Sequence, residues 1–370
     1  PREDQTLAAA GVSGEPRVPA LQRPSQNDIQ RLHKLLGYRF YEAAMSKDRQ
    51  LIVDECMHEL QYTVQCACAE FGVRRFGSCH NGFSTHGSDL DATIVQEGVH
   101  QTEPQYAVEV LQQYMVPLLS TAKSGRFEVT QTIAEARIPI LKIRYWRTEL
   151  EVLDVDLSCH NTEAFRNSQL LLAYSQMGEG IIAALGILVK LWAKSAGVSG
   201  APQKHLSSYS IILMVLYFLQ VVHNVPCLPT SAFDGSSKVP PEGRQHWTWT
   251  GSMTLLLWQF FQFYATDFKW GMEVVAIHIG QRTHNSDVLH QDLRGRWATR
   301  LHVEDPILTN RNLNAPLGAE QEEQLKKAIW DAALALQNGQ LPVGLTPELG
   351  ERPPMPSAGY GVPKGPGMQM

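Results

Sequence analysis

Asp89 and Asp91 stand two residues apart at the head of a β-like run, Leu90-Asp91-Ala92-Thr93-Ile94-Val95, and Asp154 and Asp156 repeat the spacing in Val152-Leu153-Asp154-Val155-Asp156-Leu157. Residues i and i+2 of a strand face the same side, so each pair aims two carboxylates into one space. Like charges so placed repel unless a cation lies between them. Two such strands side by side bring three acidic groups together, enough for two divalent ions, and metals about 3.5–4 Å apart stabilise the attacking and leaving oxygens of a phosphoryl transfer. A lone Asp-x-Asp is more often a solvated strand edge. Here Phe76-Gly77-Ser78 lies upstream, where a strand can end and a helix begin, and such a turn offers N–H groups and a hydroxyl to a phosphate.

Other residues have a bland reading beside a chemical one. Lys190 and Lys194 sit at i and i+4 of an otherwise apolar helical run, 181–196, either reaching to solvent or converging on an anion. Ser208 and Tyr209 open the next helical run, where a tyrosine ordinarily serves packing. Six cysteines form no Cys-x-x-Cys pair, and Cys66-Ala-Cys68 with His80 fits no common zinc spacing. They read as reduced thiols, with an intracellular setting as the default.

These residues need elements to hold them. Apolar positions recur at helical spacing through 27–72, enough for two helices, and β-like runs follow at 73–76, 90–95, 127–133, 138–145 and 151–157, with a helical stretch at 107–119 among them. That is an α+β pattern built on one sheet, assigned to a catalytic domain over 27–160 whose leading helices could pack on the second domain. Helical runs then dominate, at 163–176, 181–196, 207–222, 254–265 and 320–336, giving a helical domain over 161–345. A Pro/Gly/Ser-rich loop, 224–251, interrupts it. Trp247 and Trp249, flanked by Arg244 and His246, are either a partner-facing patch or packing for that loop. Residues 1–26 and 346–370 are expected to lack regular order, and a targeting segment is expected to have been removed ahead of Pro1. No apolar run approaches the roughly 20 residues that span a bilayer, so no membrane is expected.

With the runs in place the residues are recognisable. Phe76-Gly77-Ser78 through Gly87-Ser88-Asp89-Leu90-Asp91 resembles the signature of the DNA polymerase β-like nucleotidyltransferases. Asn167-Ser168-Gln169-Leu170, Val189-Lys190-Leu191-Trp192-Ala193-Lys194, Leu206-Ser207-Ser208-Tyr209 and Glu304-Asp305-Pro306 resemble one branch of it, the noncanonical poly(A) polymerases and terminal uridylyltransferases. The compact kinetoplastid mitochondrial uridylyltransferases look nearest. The resemblance implies a mixed-sheet catalytic domain and a helical nucleotide-clamping domain, with Asp89, Asp91 and Asp156 holding two Mg²⁺ ions (Mn²⁺ as a substitute). Asp156 would also help deprotonate the RNA 3′-hydroxyl, and Asp154 would be the spare member of its pair. Gly77, Ser78, Lys190, Lys194 and Ser208 would contact the triphosphate, Tyr209 would stack on the base, and Asn167 and Ser168 would meet the ribose 2′-hydroxyl and uracil.

The implied reaction is transfer of UMP from UTP to RNA 3′ ends, in mitochondrial RNA processing or editing. Base choice is the least settled part, because uridylyl enzymes carry acidic groups near the Asp-Pro turn. Asp305 is present, but Leu308 stands where glutamate is frequent, and leucine accepts no hydrogen bond from uracil N3. Arg311 donates only, which suits uracil O4 and opposes the adenine amine. UTP is therefore the expected substrate, with Asp305 through water, or Arg311, replacing the glutamate. ATP use as a poly(A) polymerase is the alternative, and an inactive RNA-binding scaffold is the alternative of another class. The net charge of -5 and the lack of a basic stripe imply a grip on the last few nucleotides, or protein partners of an RNA-processing complex. The short interval from Asp91 to Asp156 leaves little room for an extra domain.

Overall fold

The computed structural model describes residues 20–96, 98–99, 103–236, 238–288 and 300–348. Most of the two ends expected to lack order lies outside them. Ser25 and Ser46 each accept a backbone N–H three residues on, from Asp28 and Arg49, and so start α1 (Gln26–Ala43) and α2 (Lys47–Ala67).

Five strands form one sheet in the order β1-β2-β5-β4-β3: β1 (Phe71–Phe76), β2 (Leu90–Gln96), β3 (Phe127–Ile133), β4 (Ile140–Trp146) and β5 (Val152–Cys159). Only β2 and β5 run parallel, so the sheet is mixed. The β2–β5 register sets Asp91 directly against Asp156. The other face of these strands, with Leu90, Ala92, Leu141, Ile143, Val155 and Leu157, forms a core with α2 and the crossover helix. That crossover departs from a plain helix. Between Pro104–Glu109 and Val116–Ser120 runs a π-helical stretch, Val110–Met115. Pro117 lacks an N–H and its ring crowds the carbonyl one turn back, which accounts for the widened register before it.

The chain then becomes helical: α3 (Ser78–Asn81) precedes β2, and α6 (Thr162–Ser175), α7 (Ile181–Ser195), α8 (Ser208–His223), α9 (Met253–Gln262) and a last helix, Ala319–Gln337, follow β5, if the two crossover pieces are counted α4 and α5. Ser207 and Ser252 cap α8 and α9. Leu32, Leu36 and Phe40 place α1 in this second core, whereas α2 belongs to the sheet. Two two-residue strands, β6 (Val274–Val275) and β7 (His302–Val303), were not expected and pair in parallel. No single described helix is long and apolar enough to cross a membrane.

Among its described residues the loop 224–251 contains two single 3-10 turns, and it is bolted down. The buried Gln169 amide accepts from the Gly235 N–H at 2.8 Å and donates to the Lys238 carbonyl at 2.6 Å. Arg74 of β1 donates to the Gly235 carbonyl. Both tryptophans pack on the helical core, with Trp247 Nε1 bonded to the His223 carbonyl at 2.9 Å, so packing is their role here.

Candidate active site

Where the sheet meets the helices there is a cavity of about 520 Å³. Gly77, Ser78, Asp89 and Asp91 line one side, and Asn167, Ser168, Lys190, Lys194, Ser208, Tyr209 and Arg311 the other. Asp156 and Asp305, expected in the same site, are not part of the lining.

The carboxylates show the strain expected of like charges. Burial first, then Asp156 and Asp89, push the Asp91 carboxyl up to about 7. Enclosure by the protein behind it, then Asp156 and Asp154, also raise Asp89. Asp154 is mostly exposed and lies 3.6 Å from Arg144. Asp156, Asp91's register partner, is turned onto Lys142, whose Nζ meets its two oxygens at 2.9 and 3.2 Å. Among the described residues no three His, Cys, Asp or Glu side chains stand close enough together to hold a metal ion as placed. Asp89 and Asp91, both raised and both on the cavity wall, have the chemistry a divalent cation would relieve.

Gly77 packs its turn against Asp91. Its backbone is left-handed (φ 65°), and a Cβ there would lie 2.0 Å from Asp91 Oδ2. Glycine is what lets the turn close over the aspartate. Its N–H is given to Ser168 Oγ at 2.8 Å, and its carbonyl accepts from His80 and Asn81. That N–H is paired with Ser168 here, and Gly77 itself lines the cavity. Ser168, nearly buried, lines the same cavity, and its oxygen ties α6 to the turn through that bond.

On the helical wall the two lysines divide. Lys190 donates to the Phe83 carbonyl at 2.7 Å, which leaves two of its three donors for an anion. Burial pushes this ammonium down to about 8, with Cys79 and Asp91 opposing the shift. Lys194, one turn on, is exposed at the cavity wall. Ser208, also exposed, sits in the first turn of α8.

Two residues of the cavity lining have enclosed polar atoms with no partner among the described residues, Asn167 Oδ1 and the Tyr209 hydroxyl. An acceptor left open in a cavity fits a sugar hydroxyl. Asp305 is fully buried, and its Oδ1 accepts from the N–H groups of Ile307 and Leu308 at 3.0 and 3.1 Å. Its Oδ2 lies 3.4 Å from Arg311. Asp305 therefore shapes the turn and lies beside Arg311.

Sequence reasoning missed Arg137, Asn161 and Glu163, which also line the cavity, and Lys142 beside it. Arg137 pairs with Glu163 at 3.3 Å. Lys142 had a legible signal: polar residues alternate at 142 and 144 within an apolar strand run.

With this geometry established, known proteins add the lineage. Residues 33–176 match the family "Poly(A) RNA polymerase, mitochondrial-like, central palm domain", and residues 252–311 match "Cid1 family poly A polymerase". Poly(A) RNA polymerase GLD2-A of Xenopus laevis is 29% identical over 253 residues, 63% of this chain and 47% of that protein. GLD2 of Mus musculus is 28% identical over 348 residues, 88% of this chain and 67% of that protein. The chain thus spans about half to two thirds of these relatives. Among solved structures, a mutant Cid1 poly(U) polymerase bound to MgATP superposes with TM-score 0.70 at 22% identity, covering 86% of this chain and 99% of that one. The GLD-2/RNP-8 complex gives 0.69 at 24%, covering 84% and 95%. These likenesses establish the fold. The two family matches together take in more than half of the sequence, in order, and the chain belongs to the Cid1/GLD2-type nucleotidyltransferase family of poly(A) and poly(U) polymerases.

Proposed function

We propose that this protein transfers nucleotidyl groups from a ribonucleoside triphosphate to RNA 3′ ends, with ATP preferred over UTP. The observation that carries it is one cavity with acidic groups on the sheet wall and two lysines on the helical wall. Members of the family are divalent-metal-dependent. Bound at Asp89, Asp91 and Asp156, such ions supply the charge that stabilises the attacking and leaving oxygens. Lys194 and the spare donors of Lys190 would hold the triphosphate tail, Asn167 Oδ1 would accept from the ribose 2′-hydroxyl, and the Tyr209 ring would support the base.

The preference for ATP reverses the expectation from sequence. Uracil presents an N3–H that needs an acceptor. Leu308 offers none, and both oxygens of Asp305 are engaged. The GLD2 relatives are named poly(A) polymerases, which supports the same choice. UTP stays as the second reading on one observation, the donor-only Arg311 in the cavity wall. Labelled RNA incubated with each of the four NTPs, read for base identity and tail length, tests both. ATP should be incorporated fastest, and UTP dominance would overturn the preference. Arg311→Ala is expected to lower UTP use more than ATP use, since only uracil O4 faces it with an acceptor in place of an amine. An unchanged ratio would remove the arginine from base selection.

A protein partner that supplies RNA affinity is part of the proposal, supported by the net charge of -5 and by the GLD-2/RNP-8 complex among the similar structures. A mitochondrial site of action rests on the resemblance to the kinetoplastid enzymes alone. The animal GLD2 relatives add nothing to it, and imaging of the tagged full-length protein tests it.

A further inference from the structure

We propose that Lys142 is the resident counter-cation of the third carboxylate: its ammonium holds Asp156 while no metal is bound, and a divalent ion gains Asp156 only by displacing it. The inference rests on the metal-dependent reading of the same site given above.

The pairing is built into the sheet. Lys142 of β4 and Asp156 of β5 are direct cross-strand partners, and Lys142, Arg144 and Trp146 alternate onto one face of β4. The next rung repeats the arrangement more loosely, with Arg144 3.6 Å from Asp154. Asp156 therefore has a cation on one flank and Asp91 on the other, since Asp91 is its partner across β2. It is turned to the cation. Both of its oxygens meet the ammonium, occupying lone pairs that a metal would use. This is why the described acidic groups, although on adjacent strands, do not close into a three-donor set.

Asp89 and Asp91 are left as the open half of the site. An ion entering there has two carboxylates, and phosphate oxygens of the nucleotide are the natural source of its remaining ligands. Engagement of Asp156 comes after, at the cost of the lysine pair. Lys142 thereby acts as a positioning residue that weakens metal binding to the enzyme without nucleotide and ties the loading of the third carboxylate to substrate. It also shields three neighbouring carboxylates from one another in the empty site.

Mn²⁺ binding to the whole chain without nucleotide, followed by the electron paramagnetic signal of the free ion, is the test. Lys142→Met keeps the length of the side chain and removes its charge. It is expected to bind Mn²⁺ about tenfold tighter than the wild type, while Lys142→Arg binds no tighter. Equal or weaker binding by Lys142→Met overturns the inference. Asp91→Asn separates the two levels of argument. If it leaves Mn²⁺ binding intact, the metal reading falls and the inference with it. If it weakens binding but Lys142→Met changes nothing, only the inference falls. Should Lys142→Met fail to fold, reductive methylation of wild-type Lys142, read by mass spectrometry, serves instead. Labelling should be several-fold faster in saturating Mn²⁺ than in chelator, and an unchanged rate overturns the inference.

Discussion

Asp91 is placed where its charge is useful and its fold is penalised for it. Unfolded, the carboxyl ionises near pH 4; folded, burial and then the Asp156 and Asp89 charges push it up to about 7. Between those values the folded chain holds a proton that the unfolded chain has lost, so stability falls as pH rises from about 4 to about 7 and is level above. Asp91→Asn imitates the protonated form. In metal-free buffer it is expected to raise Tm by a few degrees at pH 8 and leave it unchanged near pH 4, while nucleotidyl transfer falls by roughly a thousandfold or more. Calorimetry at the two pH values checks this, and a variant destabilised at pH 8 would show that the carboxylate is not under strain. The aspartates were legible in the sequence because a strand's two-residue period fixes where they face. The hydrogen-bond partners of Gly77, Ser168 and Asp305 were not. Each depends on which partner a hydrogen-bonding group finds, and Gly77 finds Ser168 across 91 residues. Sequence shows that a donor or acceptor exists, and the fold decides whether it is already spent.

At the scale of elements, the turn between β1 and α3 is the piece on which the catalytic wall depends. Its left-handed glycine and the Asp91 side chain fill the same space, so Gly77→Ala meets two obstacles, a strained φ and a contact 2.0 Å from Asp91 Oδ2. The substitution is expected to cost about 2 kcal/mol of stability and most of the activity, seen as a lower denaturant midpoint and a loss in kcat. Gly87→Ala is the control for stability, since a Cβ there meets nothing within 4 Å. Equal behaviour of the two variants would mean the turn tolerates a side chain. The long elements followed from apolar periodicity, including β3, whose observed span equals the expected one. What periodicity could not show were the π-helical stretch before Pro117 and the β6–β7 pair. A two-residue strand has no period to detect, and its existence comes from the distant segment that pairs with it.

The whole molecule is a sheet half and a helical half fastened at the rim of the cavity they share. Ser168 reaches Gly77, Lys190 reaches the Phe83 carbonyl, and the Phe83 ring sits so close to Gly186 of α7 that a Cβ there would be 2.5 Å away. Gly77, Phe83, Ser168 and Lys190 all line the cavity, so the site lies at the joint. Cations at this joint are mostly committed: Lys142 to Asp156, Arg137 to Glu163, Arg311 to Asp305. The chain as a whole carries a net charge of -5. An RNA strand held this way releases few counterions, and affinity for single strands falls with salt by a slope of about 0.7 per phosphate neutralised. With about two phosphates engaged, Kd for a short single-stranded RNA should weaken by less than about tenfold between 50 and 200 mM salt. Fluorescence anisotropy of an end-labelled oligomer measures it directly. A loss of about a thousandfold would require a long basic track and would refute a grip confined to the 3′ end. A shallow slope, joined by tighter and steeper salt-dependent binding when a partner protein is added, would place the missing affinity outside this chain.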